Sequence, residues 1–202
     1  MGTNLTLTER KRLDILAAAQ QEFKEKGFVG ASMDSLAKRA EVSKRTVYNH
    51  FTSKEVLFHN IVKQLCDSFC QAVNITYNRD IPLHEQLLVA AKSELELLGS
   101  ECFRDLNRIT LAEFIRSPEL ATSTLEYLGQ QKDGLHLWIA DAIKDGRLKD
   151  VDIDHAANQF LGLIKATAFW PQLLMNQEFP SAEQQQTIAD DAVLMFLARY
   201  EC

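Results

Sequence analysis

One short segment in the N-terminal quarter of the chain gathers side chains that can bind an anionic polymer. Lys44 and Arg45 are cationic, and Thr46, Tyr48 and Asn49 follow with hydrogen-bonding groups. Cations of this kind neutralise phosphate groups, and Arg and Asn can form paired hydrogen bonds with the edges of bases. The chemistry that these residue types favour is therefore recognition of nucleic acid.

Two short helices are predicted to position these side chains. Ser32 can cap a helix over residues 33–40, and Ser43 can cap a second helix that begins at Lys44. Only three residues join the two helices, so they must cross steeply, as in a helix-turn-helix. The N-terminus of the second helix offers free backbone N–H groups that suit phosphate, and a major groove admits one such helix.

The charge of the chain is unevenly distributed. The net charge is −6 over 202 residues, which by itself argues against a nucleic-acid-binding protein. Residues 1–54, however, contain 10 Lys and Arg against 6 Asp and Glu, whereas residues 55–202 contain 12 against 22. A basic N-terminal part is thus joined to an acidic body, which would repel DNA and leave only the basic part to dock.

The pattern of apolar residues predicts an all-α fold of about nine helices. Apolar positions recur every three to four residues, the chain has only four prolines and eight glycines, and the alternation typical of strands is absent. Residues 1–54 are predicted to form a three-helix DNA-binding domain, and residues 55–202 a larger helical domain for ligand binding and dimerisation. A fourth helix, linking the two domains, is expected from about residue 54, opened by a capping box of Thr52 and Glu55.

Residues 9–60 closely resemble the DNA-binding domain of TetR-type transcriptional regulators. The resemblance is carried by Phe23 and by segments 15–19, 27–28, 31–37 and 42–57. The most specific part is the pattern Tyr-x-His-Phe-x-x-Lys-x-x-Leu, which starts at Tyr48. This resemblance implies a homodimer that binds a double-stranded operator and responds to a small molecule.

The resemblance also implies roles for individual residues. Tyr48 and Lys54 correspond to family positions that contact the phosphate backbone, and residues 44–46 to positions that face bases or phosphates. Many members have glycine where this chain has Arg45, and Arg paired with guanine is the commonest specific contact, so we expect Arg45 to read a base directly. The predicted DNA-binding residues are Ser32, Ser43, Lys44, Arg45, Thr46, Tyr48, Asn49, His50 and Lys54.

Simpler interpretations of the same residues stay open. A basic pair in isolation is usually a solvated face, and His50 and Phe51 could serve as core residues that hold the recognition helix. The N-terminal group Arg10, Lys11 and Arg12 could contact phosphates or the minor groove, or could simply be a solvated helix start. The joint spacing of the turn, the basic helix start, the aromatic residue and Lys54 favours DNA binding.

The last two helices are predicted to form the dimer interface. Segments 154–175 and 181–200 each carry an apolar stripe, with small residues that allow close approach, and two such helices from each protomer would form a four-helix interface. The alternative is that both stripes face only their own core. The predicted interface residues are Leu161, Ile164, Ala168, Ile188, Ala192, Met195 and Arg199.

The helices within residues 82–146 are predicted to enclose a partly apolar effector pocket. Sensor pockets are mostly apolar with a few polar anchors, although aromatic residues at helical spacing are more often plain core. The candidate lining residues are Phe103, Asn107, Phe114, Tyr127, Trp138, Phe169 and Trp170.

Other chemistry lacks a matching pattern. No nucleophile–base pair, phosphate loop or metal-ligand spacing occurs, so we expect no catalytic residue, no cofactor and no metal. Cys66 and Cys70 lie four residues apart, and a role as small buried hydrophobes is favoured over redox sensing. The stretch 160–175 is too short and too polar to cross a membrane, and the first ten residues do not form a secretory leader. These features favour a bacterial-type, cytoplasmic and nucleoid-associated protein.

Together these predictions describe a homodimeric, ligand-responsive regulator, with repressor favoured over activator. A DNA-binding protein without an effector is the main alternative, and a helical enzyme is disfavoured. Substitution of Arg45 by alanine is expected to abolish sequence preference. Substitution of Lys54 is expected to weaken binding to all DNA and to flatten its salt dependence.

Overall fold

A computed structural model describes residues 6–72, 74–129 and 134–202, with the side chains of 69–72, 123–125 and 127–129 left out of the description. The described residues form eleven helices, and their only β contact is an isolated antiparallel bridge between Leu148 and Glu201. The prediction of an all-α fold with an N-terminal helix-turn-helix is confirmed. No helix in the described ranges is long and apolar enough to cross a membrane.

The helices follow one another along the chain with short connections. They are α1 (Leu7–Gly30), α2 (Met33–Arg39), α3 (Lys44–His50), α4 (Lys54–Ala72), α5 (Leu83–Gly99), α6 (Glu101–Arg116), α7 (Pro118–Gly129), α8 (Gly134–Lys144), α9 (Ile153–Ala168), α10 (Trp170–Leu174) and α11 (Ala182–Tyr200).

The chain divides into two compact units. The first contains Met1–Leu65 and Asp105–Glu126, and the second contains Cys66–Arg104 and Tyr127–Cys202. Helices α4, α6 and α7 therefore each contribute residues to both units. The boundary predicted near residue 54 separates a DNA-binding domain from a ligand-binding domain by function, whereas these two units are defined by their internal contacts. That boundary stays a prediction.

In the first unit, α1 to α4 pack around an aliphatic and aromatic core. Ile15, Leu16, Leu36, Val47 and Leu57 are each at most 1% exposed. Fixing these residues in one core holds the short helices α2 and α3, which at seven residues each would be unstable alone. The core thus supplies the rigidity that the surface of α3 needs.

Local signals place most helix ends, with two corrections. The hydroxyl of Ser53, rather than Thr52, accepts a hydrogen bond in the first turn of α4, from the N–H of Val56 at 3.3 Å. The predicted helix over 154–175 ends at Ala168, because Phe169 leaves the helical conformation (φ −136°, ψ −60°) and Pro171 lies in the first turn of the separate helix α10.

In the second unit, α5 packs against α9 and α11. The inner faces of these helices are buried and apolar, and include Leu87, Leu95, Phe160, Ile164 and Val193. Phe160 and Phe196 add an edge-to-face ring contact between α9 and α11, with centroids 5.4 Å apart. These contacts fix which faces of α9 and α11 point away from the core.

Candidate nucleic-acid interface

The turn between α2 and α3 is built by two serine caps and one left-handed residue. The hydroxyl of Ser32 accepts from the N–H of Ser35 at 3.1 Å, and that of Ser43 accepts from the N–H of Thr46 at 3.1 Å. Glu41 adopts a φ of 54°, which allows the chain to reverse within three residues. The predicted contact residues Ser32 and Ser43 thus have a structural task in addition to any contact with DNA.

The outer face of α3 is polar and cationic. The side chains of Lys44, Arg45, Tyr48 and Asn49 are exposed, whereas Thr46 is half-buried. Tyr48 is 49% exposed although tyrosine has a large apolar ring. The first five residues of α3 therefore present its cations and its aromatic residue together on the surface, as the sequence predicts.

Lys44 and Arg45 differ in their partners. The ammonium of Lys44 pairs with the carboxylate of Asp34 on α2, and both side chains are more than half exposed. Arg45 has no ion pair or hydrogen bond with any described residue. Its guanidinium can therefore approach a base edge without first breaking an internal contact.

His50 and Phe51 close the C-terminal end of α3. Phe51 is 1% exposed, His50 is half-buried, and their ring centroids lie 6.4 Å apart. The core role considered for Phe51 fits this burial. His50 lies at the margin of the exposed face, six residues after Lys44.

Lys54 makes contacts that the sequence does not indicate. Its Nζ atom donates to the carbonyl oxygens of Phe28 at 2.6 Å and of Ala31 at 3.0 Å, and lies 3.4 Å from that of Val29. The ammonium therefore faces the end of α1, and the contact of Lys54 with a DNA phosphate stays a prediction. The residues next to Lys54 in the sequence do not indicate a contact with Phe28 or Ala31, which lie more than 20 positions earlier in the chain.

The three N-terminal basic residues, Arg10, Lys11 and Arg12, differ in their surroundings. Arg12 donates to Oδ1 of Asn60 on α4 at 2.5 Å, and its guanidinium lies 5.2 Å from the ring centroid of Phe51. Arg10 and Lys11 are exposed. Arg12 therefore joins α1 to the core behind α3, whereas Arg10 and Lys11 remain candidates for phosphate contacts.

A buried carboxylate joins α1 to α2 beneath the recognition surface. Glu22 is 1% exposed and accepts from Lys26 Nζ at 2.6 Å and from Arg39 Nε at 3.0 Å. Arg39 also forms a two-bond pair with the carboxylate of Glu25. Burial alone would raise the pKa of Glu22, but hydrogen bonds from Lys26, Ser35 and Arg39 hold this pKa down at about 2.

The low pKa of Glu22 makes the first unit sensitive to acid. The folded pKa of about 2 lies below the ordinary value of 4.5, so its contribution to stability is complete above pH 4.5 and is lost as the pH falls towards 2. We expect Glu22→Gln to lower the free energy of unfolding at pH 7 by about 1–3 kcal/mol, because it leaves two cations without their buried partner. Thermal unfolding between pH 2.5 and 7 measures both effects.

Glu25→Gln is the matched control, because Glu25 pairs with the same arginine but is 50% exposed. Glu25→Gln should lower the free energy of unfolding by no more than about 0.5 kcal/mol, and its stability should depend on pH as that of the wild type does. This role of Glu22 would be contradicted if both variants lost the same free energy of unfolding. It would also be contradicted if the stability of Glu22→Gln fell at acidic pH as steeply as that of the wild type. The sequence shows the i,i+4 spacing of Glu22 and Lys26 but cannot indicate Arg39, which belongs to another helix.

The predicted effector-pocket residues are distributed over both units. In the second unit, Phe103, Trp138 and Phe169 are buried and Trp170 is 43% exposed. Asn107 and Phe114 are half-buried residues of the first unit. The side chain of Tyr127 lies outside the described residues.

Trp138 has a clear structural role. Its Nε1 atom donates to Oε1 of Gln86 at 2.9 Å, and its ring packs edge-to-face on Tyr77 with centroids 6.0 Å apart. Gln86 in turn donates to the carbonyl oxygens of Asn78 and Ile81, both at 2.8 Å. Trp138 therefore anchors the segment before α5, which agrees with the core interpretation of this residue.

A different cavity lies within the first unit. It is an open cleft of about 300 Å³ between the end of α1 and α6, and Phe23, Phe28, Ile109 and Ala112 form its apolar walls. A Lys24–Asp105 ion pair at 2.5 Å lies at its edge. Its walls include none of the residues predicted to line the effector pocket.

Four of the predicted dimer-interface residues face their own core. Leu161, Ile164, Ala168 and Ala192 are at most 6% exposed in the protomer, which fits the alternative that these stripes face their own core. Helices α9 and α11 pack on each other and on α5, and these four residues lie on the buried faces of the two helices. Ile188 is half-buried, and Met195 and Arg199 are exposed.

Cysteine and metal chemistry has little support in the described residues. Cys66 is 4% exposed, which agrees with the preferred role as a small buried hydrophobe. The side chain of Cys70 lies outside the described residues. Within the described ranges, no group of three or more His, Cys, Asp and Glu side chains could hold a metal ion.

Comparison with family models identifies both parts of the chain. Residues 15–61 match the model of bacterial regulatory proteins of the tetR family. Residues 85–202 match the model of the C-terminal domain of AefR-like transcriptional repressors. The first match covers α2, α3 and the residues of the outer face of α3, and the second covers more than half of the chain.

Individual proteins show the same similarity. A TetR family transcriptional regulator from Pseudomonas syringae pv. tomato DC3000 has a crystal structure that matches with 41% identity and a TM-score of 0.86 over 98% of both chains. The HTH-type transcriptional regulator YhgD of Bacillus subtilis strain 168 is 31% identical over 80% of this chain and 83% of its own. The flavonoid-responsive regulator FrrA matches with 28% identity and a TM-score of 0.77 over 95% of this chain and 97% of its own.

Proposed function

Because the chain belongs to the TetR family of DNA-binding transcriptional regulators, which are not enzymes, we propose that it is a homodimeric repressor of a palindromic operator, released by a small molecule. The observation that carries the proposal is the outer face of α3, where Arg45 is exposed and has no partner among the described residues. As a DNA-binding regulator it would act on the nucleoid, in the cytoplasm.

The DNA interface that we propose is α3 with its flanking caps. Arg45 reads a base edge in the major groove, and Lys44, Tyr48 and Asn49 contact phosphates or neighbouring bases. Thr46 and His50 border this face, and the N-terminus of α3 adds backbone N–H groups that suit a phosphate. The exposed hydroxyls of Ser32 and Ser43 also hydrogen-bond to the hydroxyls of Ser35 at 2.9 Å and Thr46 at 2.8 Å, which leaves each of them one further donor or acceptor site.

The dimer interface that we propose is the outer face of α9 and α11. Leu163 is 36% exposed, Leu194 57% and Met195 58%, although all three are apolar. A Cβ added at Gly162 on the same side of α9 would meet nothing within 4 Å, so a partner helix could approach closely there. Exposed apolar residues grouped on adjacent helices are typical of a subunit interface.

A two-fold dimer explains the form of the proposed operator. Two copies of α3 related by two-fold symmetry read two inverted half-sites, whose centres should lie about 34–36 Å apart or at a multiple of one turn. A single α3 of seven residues contacts too few base pairs to select one site in a genome. Dimerisation is therefore needed for specific recognition.

The effector that we propose is a partly apolar small molecule. The related regulator FrrA is flavonoid-responsive, which supports a partly apolar small molecule as the class of effector. Helix α4 runs from the first unit into the second, so a ligand that shifts it can change the separation of the two recognition helices. After a small change in that separation, the two recognition helices no longer fit two major grooves of the operator at the same time.

Selection of bound fragments from a random double-stranded DNA library tests the proposal. We expect one inverted-repeat sequence to be enriched, and we expect a library of small apolar compounds to contain some that release the enriched DNA in a fluorescence anisotropy assay. Enrichment without symmetry would contradict the dimeric operator. Failure of every compound, with tight DNA binding retained, would favour a regulator without an effector.

A further inference from the structure

The cleft between the end of α1 and α6 has a largely apolar interior. Its volume is about 300 Å³, and Phe23, Phe28, Ile109 and Ala112 are among the residues that line it. The rings of Phe23 and Phe28 form a tilted pair with centroids 5.5 Å apart. All of these residues belong to the first unit, so the cleft lies within one compact body. Aromatic walls and a volume near the lower end of the range for ligand pockets suit a small ring compound.

Two polar side chains that line this cleft are close together without a hydrogen bond between them. Glu113 is 5% exposed, and its Oε1 atom lies 3.7 Å from Nη1 of Arg116, one turn later on α6. This distance is too long for a hydrogen bond, and neither side chain forms one with any described residue. A carboxylate with so little exposure is unfavourable unless a donor reaches it. Glu113 and Arg116 thus offer an acceptor and a donor that one bound group can bridge.

The charges around the cleft disfavour ionic ligands of either sign. The charged lining residues are three cations and two carboxylates, namely Lys24, Arg108, Arg116, Asp105 and Glu113. Asp105 is already paired with Lys24 at 2.5 Å and with Arg108 at 3.2 Å. A ligand carboxylate would place a like charge beside Glu113, and a ligand ammonium would place one beside Arg116. A neutral hydroxyl can instead donate to Glu113 and accept from Arg116.

The cleft is open to solvent, so a ligand can enter it from the surface. Arg116 is 57% exposed and Lys24 46% exposed, and Ala112 is also exposed. Gly27 interrupts the wall formed by α1 with a left-handed φ of 69°. A Cβ at Gly27 would meet nothing within 4 Å, so this part of the wall leaves space for a ligand.

We propose that the cleft between α1 and α6 is a binding site for a small neutral phenol. The phenol ring packs against Phe23 and Phe28, and its hydroxyl donates to the carboxylate of Glu113 and accepts from the guanidinium of Arg116. Hydrogen bonds with charged groups are stronger than those between neutral groups, so this bridge selects a hydroxyl over an unsubstituted ring. None of the residues predicted for the effector pocket lines the cleft, so this site is additional to that pocket.

Ligand-observed NMR titrations of the full-length protein with 4-ethylphenol test the site. We expect a dissociation constant below about 1 mM for this probe. The compound 4-ethylanisole keeps the ring and the oxygen but cannot donate, so it should bind about 10-fold more weakly or worse. The ions 4-ethylbenzoate and 4-ethylbenzylammonium should bind more weakly by a similar factor of about 10, because each brings a like charge to the bridge.

Two variants with matched controls locate the bound phenol. Glu113→Gln should weaken binding of 4-ethylphenol about 5-fold or more, because a neutral amide is a weaker acceptor than a carboxylate. Ala112→Trp fills the cleft from an exposed position and should abolish measurable binding. The controls are Glu119→Gln and Ile115→Trp, at exposed positions that do not line the cleft, and they should bind the phenol like the wild type.

Three results would overturn this site. They are the absence of phenol binding by the wild type, equal affinity for 4-ethylphenol and 4-ethylanisole, and unchanged affinity in both Glu113→Gln and Ala112→Trp, which would place the phenol in another pocket. These titrations contain no DNA, so they do not depend on the proposed function. A protein that bound phenol in this cleft but no operator would contradict only the proposed function, and one that bound operator but no phenol would contradict only this site.

Discussion

Substitution of Arg45 by alanine should abolish most of the preference of this protein for its operator over random DNA. A bidentate contact between arginine and guanine contributes about 1–3 kcal/mol of discrimination, and a dimer makes it twice. We therefore expect the ratio of operator to random-sequence affinity to fall by about 10²–10⁴-fold. Binding to random DNA should fall much less, because Lys44 and the other cations of the first unit remain. Competition titrations with operator and random duplexes at one salt concentration measure the ratio.

Two variants control for the loss of charge. Arg45→Lys keeps the cation but not the planar pair of donors, so it should recover non-specific binding without recovering preference. Arg79→Ala removes an arginine that is 78% exposed in the second unit and should leave the ratio unchanged. If Arg45→Ala lowered operator and random affinity equally, Arg45 would be a phosphate contact and the specific base would be read elsewhere on α3.

Substitution of Leu194 by aspartate should dissociate the dimer and, with it, most operator binding. Leu194 is 57% exposed in the protomer, so an aspartate there costs the folded protomer little. In the proposed four-helix interface the same change would bury a carboxylate in both copies, at about 2 kcal/mol or more for each. We expect the dimer dissociation constant to rise about 10³-fold, as measured by sedimentation velocity over a concentration series.

Val89→Asp provides a matched comparison. Val89 is 58% exposed on α5 and does not belong to the outer face of α9 and α11. We expect this variant to remain dimeric and to bind operator like the wild type. A monomer from Val89→Asp, or a dimer of unchanged strength from Leu194→Asp, would place the interface on another surface of the second unit.

The recognition helix was predictable because its signals are local in the chain. Ser32 and Ser43 cap α2 and α3 in the predicted positions, and α3 begins at the predicted residue. Capping, turn length and the exposure of charged side chains all depend on neighbours within four residues. The positive charge of residues 1–54 against the acidic body is likewise a property of composition alone.

The dimer stripe shows where such local signals are insufficient. A helix with apolar residues on more than one side has several candidate stripes, and periodicity does not tell which one faces its own core. The structure turns Ile164 and Ala192 inward and leaves Leu163 and Leu194 outside. The choice depends on how α5, α9 and α11 pack together, and that packing involves residues distant in the chain.

By itself, the sequence determined the all-α fold, the helix-turn-helix and the exposed cations of α3, because caps, periodicity and short turns act over a few residues. Only the tertiary structure decided what those elements contact. Lys54 donates to the carbonyls of Phe28 and Ala31, more than 20 residues earlier in the chain, and Glu22 accepts a hydrogen bond from Arg39 on another helix. Such partners are selected by the packing of whole helices, which brings together residues that are distant in the chain.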